Sequence, residues 1–136
     1  MKVTPYLTSA GDCAEAMTYY ESALGGKLSM VMTFVDIMGE GAPEDLGDKM
    51  AHMTLELSDG SQLFASDVFE EVEYKGVEGV AMSVTCADAA DAERLFGVMS
   101  EGGTVTMPLS KTDWAALFGM CRDQFGVGWM IDADAG

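Results

Sequence analysis

"DCAEAMTYYESALGG" at residues 12–26 and "DAADAERLFGVMSEGG" at residues 88–103 are one design written twice. Each opens on an aspartate suited to cap a helix, Asp12 or Asp88, with an acidic residue three positions on, Glu15 or Asp91. Each then carries an apolar stripe at helical spacing: Ala16, Tyr20, Ala23 and Leu24 in the first, Ala92, Leu95, Phe96 and Met99 in the second. Each stops at paired glycines, Gly25-Gly26 and Gly102-Gly103. Laid over one another, Asp12 falls on Asp88, Tyr20 on Phe96 and Gly26 on Gly103.

Outward from these helices the alternation of apolar and polar residues predicts strands at "KVTPYL" (2–7), "KLSMVMTFV" (27–35), "KMAHMTLEL" (49–57) and "SQLFAS" (61–66). In the second half it predicts them at "GVAMSVT" (79–85), "GTVTMPL" (103–109) and "GVGWMIDA" (126–133). "LFASD" closes the first half as "MIDAD" closes the second, so the expected architecture is two similar modules, each strand, helix, then three strands. Their expected bounds are about 1–68 and 78–136, joined by 69–77. A sheet covered by a helix on one face leaves its other face unburied, so the modules are expected to pair, within a chain or across a dimer. "DIMGEGAPEDLGD", residues 36–48, reads as a polar loop over the surface or a ligand cleft.

With 136 residues, 49% of them hydrophobic, the chain suits one globular domain. Twenty-three acidic against seven basic residues give a formal charge of −16, which repels phosphate backbones and anionic lipid. Nucleic-acid and membrane partners are therefore not expected, and the same field favours neutral or cationic ligands. The start, "MKVTPYLTSAGD", lacks a secretory signal's apolar core, and a cytoplasmic location is expected. Cys13, Cys86 and Cys121 are odd in number and outside any CxxC pattern, so they read as reduced, packed thiols. Twelve methionines suit either a permissive pocket or a loosely selected core.

The single histidine lies in "MAHMTLELSDGSQLFASD", residues 50–67. Alternate strand residues share a face, which sets His52, Thr54 and Glu56 opposite to Met53, Leu55 and Leu57. Gln62, Phe64 and Ser66 are expected beside His52, making a wall with a few polar groups among apolar ones. His52 is the candidate for acid, base or hydrogen-bond chemistry; the alternative is a histidine satisfied by a neighbour. Glu56 is roughly 13 Å along the strand from it, too far to share an ion. Asp67 reads as a turn-shaping residue or a ligand contact, and Phe34 as packing or cavity wall. Trp129 reads as core, and Trp114 as part of a dimer seam or of the cavity.

"PYLTSAGDCAEAMTYYESALGGKL", "AHMTLEL…GSQLFASD" and above all "GGTVTMPLSKTDWAALFGMCRDQFGVGWMI" resemble the PhnB-like branch of the vicinal-oxygen-chelate superfamily. That superfamily includes glyoxalase I, bleomycin-resistance proteins and extradiol dioxygenases. The resemblance implies an α+β fold of two βαβββ modules, whose curved mixed sheets carry helices on the outer face and enclose a cavity. It also implies a homodimer. In metal-dependent relatives four His or Glu side chains from the first and last strands of the modules hold a divalent ion. The corresponding places here fall at about Pro5, Phe64, Gly79 and Met130, or with a one-residue slip at Ala65 or Val80, and none of these side chains suits a hard cation. No cofactor is expected, with a divalent metal as the alternative. The branch also carries the label of a ubiquinone-pathway methyltransferase, for which no Gly-rich cofactor loop follows the first strand. The expected function is metal-free binding of a small neutral or cationic molecule, with Met130 and Trp114 added to the His52 wall. The alternatives are a lyase- or dioxygenase-type enzyme using His52, and a structural dimer with a filled cavity.

Overall fold

The helix at Cys13–Leu24 (α1) turns Cys13, Ala16, Met17, Tyr20 and Ala23 inward, and these residues are buried in the computed structural model, which describes residues 1–68 and 74–134. The chain divides into two units, Met1–Lys75 and Gly76–Gly136. The expected junction at 69–77 falls largely outside the described residues.

In the first unit α1 packs on four strands: β1 (Tyr6–Ser9), β2 (Lys27–Thr33), β3 (Met50–Glu56) and β4 (Gln62–Asp67). They lie in the order β1-β4-β3-β2, with β1 parallel to β4 and the other pairs antiparallel. Leu7, Met53, Leu55, Leu63 and Ala65 alternate onto the helix-covered face and are buried, as period 2 requires. The second unit repeats the plan with β5 (Ala81–Cys86), a helix at Ala89–Ser100, β6 (Thr104–Ser110), β7 (Ala115–Arg122) and β8 (Gly128–Asp134), in the order β5-β8-β7-β6. β5 and β8 are the parallel pair. Two four-stranded mixed sheets, each with a helix on one face, give the α+β class expected from the repeat.

Three local expectations are corrected. The strand expected over 27–35 ends at Thr33, and the helix α2 (Phe34–Met38) begins there, followed by a 3-10 turn at Gly39–Gly41, so the expected 36–48 loop starts as helix. The cause is a capping box: Thr33 Oγ1 accepts from Asp36 N at 3.1 Å and Asp36 Oδ2 accepts from Thr33 N at 2.8 Å. The Ala89–Ser100 helix, α3 in chain order, is capped as expected, Asp88 Oδ1 accepting from Asp91 N at 2.8 Å. Asp12, by contrast, makes no side-chain cap on α1. That role passes to Asp67, at the far end of β4.

Candidate functional site

Asp67 is 4% exposed, and its carboxylate accepts three backbone N–H groups: Gly11 at 2.8 Å, Cys13 at 3.1 Å and Met50 at 2.9 Å. A buried carboxylate held by three donors at a helix start ties the β1–α1 connection, α1 and β3 to β4 as an anchor. Phe34 takes the packing place that was one of its two readings. It opens α2 with its ring buried, because the capping box takes the chain out of the strand there.

The face of the first sheet opposite α1 gathers the remaining candidates. His52 Nδ1 hydrogen-bonds Tyr6 Oη at 2.9 Å, and His52 Nε2 hydrogen-bonds Thr54 Oγ1 at 2.8 Å. Hydroxyls both donate and accept, so this line satisfies either neutral tautomer, and the imidazolium by donating at both ends. Ring centroids of Tyr6 and His52 are 5.5 Å apart, and Phe64 lies edge-on to His52 at 5.1 Å and to Tyr6 at 6.0 Å. Across β2, Met32 pairs with His52 and Met30 with Thr54, adding two adaptable thioethers to the same face. Thr54 is 5% exposed while Tyr6 is 50% exposed, so the relay runs from the interior to solvent.

The other expected members of this wall differ in availability. Gln62 Oε1 accepts from Lys2 Nζ at 2.8 Å, Ser66 is half-buried, and Glu56 stands exposed at the strand end opposite Lys27. Tyr6 was not singled out from the sequence. The available signal was the alternation around it: Leu7 belongs under α1, so Tyr6 belongs with His52.

Met130 and Trp114 belong to the second unit. Met130 lines a hollow of about 440 Å³ with Ala81, Thr106, Met120 and Arg122. The Arg122 guanidinium is pinned there, donating to the carbonyls of Val77 at 3.0 Å and Gly126 at 2.5 Å. Trp114 stands just before β7, 68% exposed, its ring 5.8 Å from that of Phe118. Trp129 is core, its Nε1 donating to Asp123 Oδ2 at 2.8 Å.

Strand register shows what stands at the places matched to a metal site. Pro5 and Gly79 precede β1 and β5; on the open faces Phe64 is paired with Tyr6 and Met130 with Ser83 across the parallel strands. A phenol, a phenyl ring, an alcohol and a thioether do not make a divalent-ion donor set. Among the described residues no three or more His, Cys, Asp or Glu side chains come together to hold one. The three thiols are free and buried. Burial pushes Cys13 up to about 12, with the Asp67 carboxylate adding to the shift, and pushes Cys86 and Cys121 up to about 11.

A repeated β-α-β-β-β unit with its first and last strands parallel, and an open sheet face bearing a few polar groups, defines the glyoxalase/bleomycin resistance class of folds. Within that class the chain belongs to the 3-demethylubiquinone-9 3-methyltransferase family, whose profile matches residues 1–132. It is similar to the protein YjdN of Escherichia coli, 28% identical over 141 residues covering 97% of this chain and 95% of that one. Protein PA1353 from Pseudomonas aeruginosa is 40% identical, with 98% of each chain covered and a TM-score of 0.90. A PhnB protein from Bacillus cereus is 22% identical over 98% of this chain and 99% of that one, with a TM-score of 0.83. The fold alone is shared with a glyoxylase/bleomycin resistance protein/dioxygenase domain from Frankia, at 15% identity over 98% and 97% of the two chains and a TM-score of 0.65.

The family description implies a methyl donor, and the residues present do not fit one. The β1–α1 connection carries a single glycine, and the N–H groups of Gly11 and Cys13 that a nucleotide-like cofactor would need are taken by Asp67. Among the described residues no helix is long and apolar enough to cross a membrane.

Proposed function

We propose that this protein binds a small neutral or cationic organic molecule, without a metal ion, on the open sheet face of its first unit. One observation carries the reading: the hydrogen-bonded line Tyr6–His52–Thr54 set among Phe64, Met30 and Met32. A few placed polar groups on an otherwise apolar, adaptable wall are what orient a small ligand. The formal charge of −16 disfavours anions there. The proposal includes a homodimer, supported by apolar side chains left in water on the edge strands: Met30 and Val31 on β2, Val105 and Met107 on β6. Sedimentation velocity showing a monomer at micromolar concentration would remove that part.

The test is calorimetric titration with a panel of neutral phenols and quinones and of aromatic cations, together with elemental analysis of the purified protein. Binding of a panel member that weakens by about tenfold in His52→Ala and in Tyr6→Phe supports the reading. Stoichiometric zinc, nickel, manganese or iron, or retention of full affinity in both variants, overturns it.

A second reading, an acid–base enzyme, is favoured by one contact. The exposed Tyr6 hydroxyl bonded to His52 Nδ1 is an arrangement able to pass a proton to a bound molecule. For that reading His52→Ala lowers kcat at unchanged KM; loss of affinity alone belongs to the binder.

A further inference from the structure

A row of small side chains opens the second sheet. Across its strands Ala81 pairs with Gly128 and Gly128 with Arg122, so on the open face nothing bulky stands between Arg122 and β5. On β6 the register slips between Val105 and Met107, and Thr106, the residue left over by that bulge, lines the gap. The result is the hollow of about 440 Å³, walled by Val80, Met120 and Met130.

The one charged side chain in that lining is Arg122, an exposed residue. Its Nη1 uses both protons on the carbonyls of Val77, at 3.0 Å, and Gly126, at 2.5 Å, which fixes the plane of the guanidinium. Nε and Nη2 have no partner among the described residues, and no carboxylate among them comes within ion-pair distance. In a chain with twenty-three acidic residues against seven basic ones, a fixed cation without an acid beside it leaves room for an acid from outside. Nε and Nη2 share one edge of the guanidinium, and their parallel N–H groups match the two oxygens of a carboxylate. The valine and methionine walls select an apolar body for the rest of the ligand. The formal charge of −16 limits the ligand's own charge. Repulsion doubles for a dianion, whereas a single charge is attracted at contact distance by the fork and screened from acids farther off than about 8–10 Å.

We propose that this hollow binds a small organic monocarboxylate with an apolar tail. The carboxylate accepts from Arg122 Nε and Nη2, and the tail lies against Met120 and Met130. All of these residues belong to the second unit, so the site goes beyond the His52 face and stands whether or not His52 binds anything.

The experiment titrates the full chain, labelled with carbon-13 at its methionine methyls, with 3-phenylpropionate. Separate titrations use 3-phenylpropanamide, its neutral counterpart, and phenyl phosphate, a dianion. A saturable shift of the Met120 and Met130 methyl signals is expected with the carboxylate, and binding at least about tenfold weaker with the amide and the phosphate. Arg122→Gln weakens carboxylate binding at least about tenfold. Because Arg122 also ties Val77 to Gly126, a second variant leaves it in place. Gly128→Leu sets a side chain directly across from Arg122, and its Cβ comes no nearer than 3.6 Å to Ala81 or Val80, an ordinary contact that the strand accepts. Filling the hollow in this way is expected to weaken binding at least about tenfold with the far-UV circular dichroism unchanged. Amide or phosphate binding as tight as that of the carboxylate, shifts at Met30 and Met32 in place of Met120 and Met130, unchanged affinity in either variant, or no saturable shift up to about 10 mM overturns the proposal.

Discussion

Two aspartates hold the two units in the same manner. Asp67 gathers the N–H groups of Gly11, Cys13 and Met50, and Asp123 those of Phe125 and Val127 with the Trp129 indole. Replacing either by alanine strands three donors in a buried place, so Asp67→Ala and Asp123→Ala are each expected to cost about 3 kcal/mol, read by urea denaturation. Asp123→Ala additionally shifts Trp129 emission, because its indole N–H loses its partner. The thiols set an alkaline limit. Cys13 is raised to about 12 and Cys86 and Cys121 to about 11, above the 9.0 of a free thiol. The folded chain therefore keeps protons that the unfolded chain releases: the stability from these groups is full below pH 9 and is lost as pH rises toward 11–12. Urea midpoints at pH 8, 9 and 10 should fall across that series, with the three thiols unreactive to a disulfide reagent until the protein unfolds. The role of Asp67 was not legible in the sequence, because its partners Gly11, Cys13 and Met50 stand 56, 54 and 17 residues away. Tyr6 was missed for the same reason, lying 46 residues from His52. The facing of His52 with Thr54 and Phe64 was legible, since period 2 is a local property.

At the scale of the element, the paired glycines do two jobs where the sequence showed one. Gly25 and Gly102 take the left-handed conformation that ends or follows a helix, at φ 73° and 74°. Gly26 and Gly103 instead let the chain pass close to the neighbouring strand. A Cβ on Gly26 would sit 2.8 Å from the Glu56 carbonyl and 2.6 Å from Leu57 Cδ2. A Cβ on Gly103 would fall within 2.0 Å of the Arg122 carbonyl. Gly103→Ala must push β6 away from β7 and is expected to cost more than about 2 kcal/mol. Gly26→Ala is expected to cost less, because the Leu57 side chain can yield and the carbonyl it meets lies at 2.8 Å rather than 2.0 Å; thermal unfolding of both variants checks the order. Helix termination could be read from the residues around it. Close approach between strands distant in sequence could not. The same division explains α2: the Thr33–Asp36 capping box was present in the sequence, but the alternation through Val35 read as a longer strand.

For the whole molecule, the repeat legible in two helix sequences extends to strand order, parallel pairing and the glycine approaches of both units. What it did not carry was side-chain chemistry. Where the first sheet holds a relay of hydroxyls and an imidazole, the second holds Phe118, Met120 and Asp132, so duplicated backbones serve unlike surfaces. With a formal charge of −16 the chain repels itself, so raising sodium chloride from about 0.01 to about 0.5 M is expected to lift the thermal midpoint by several degrees. A midpoint that falls with salt would show that attractive charge pairs outweigh this repulsion. The parallel pairing also bears on synthesis. Among the described residues β1 has β4 as its only strand partner, and β5 has β8. A polypeptide emerging from the ribosome must therefore carry its opening strand unmatched until the last strand of that half has been translated. In each half, β2 to β4 or β6 to β8 can assemble as successive hairpins first, and the edge beside the last strand then receives the waiting segment, a late closure over a long loop.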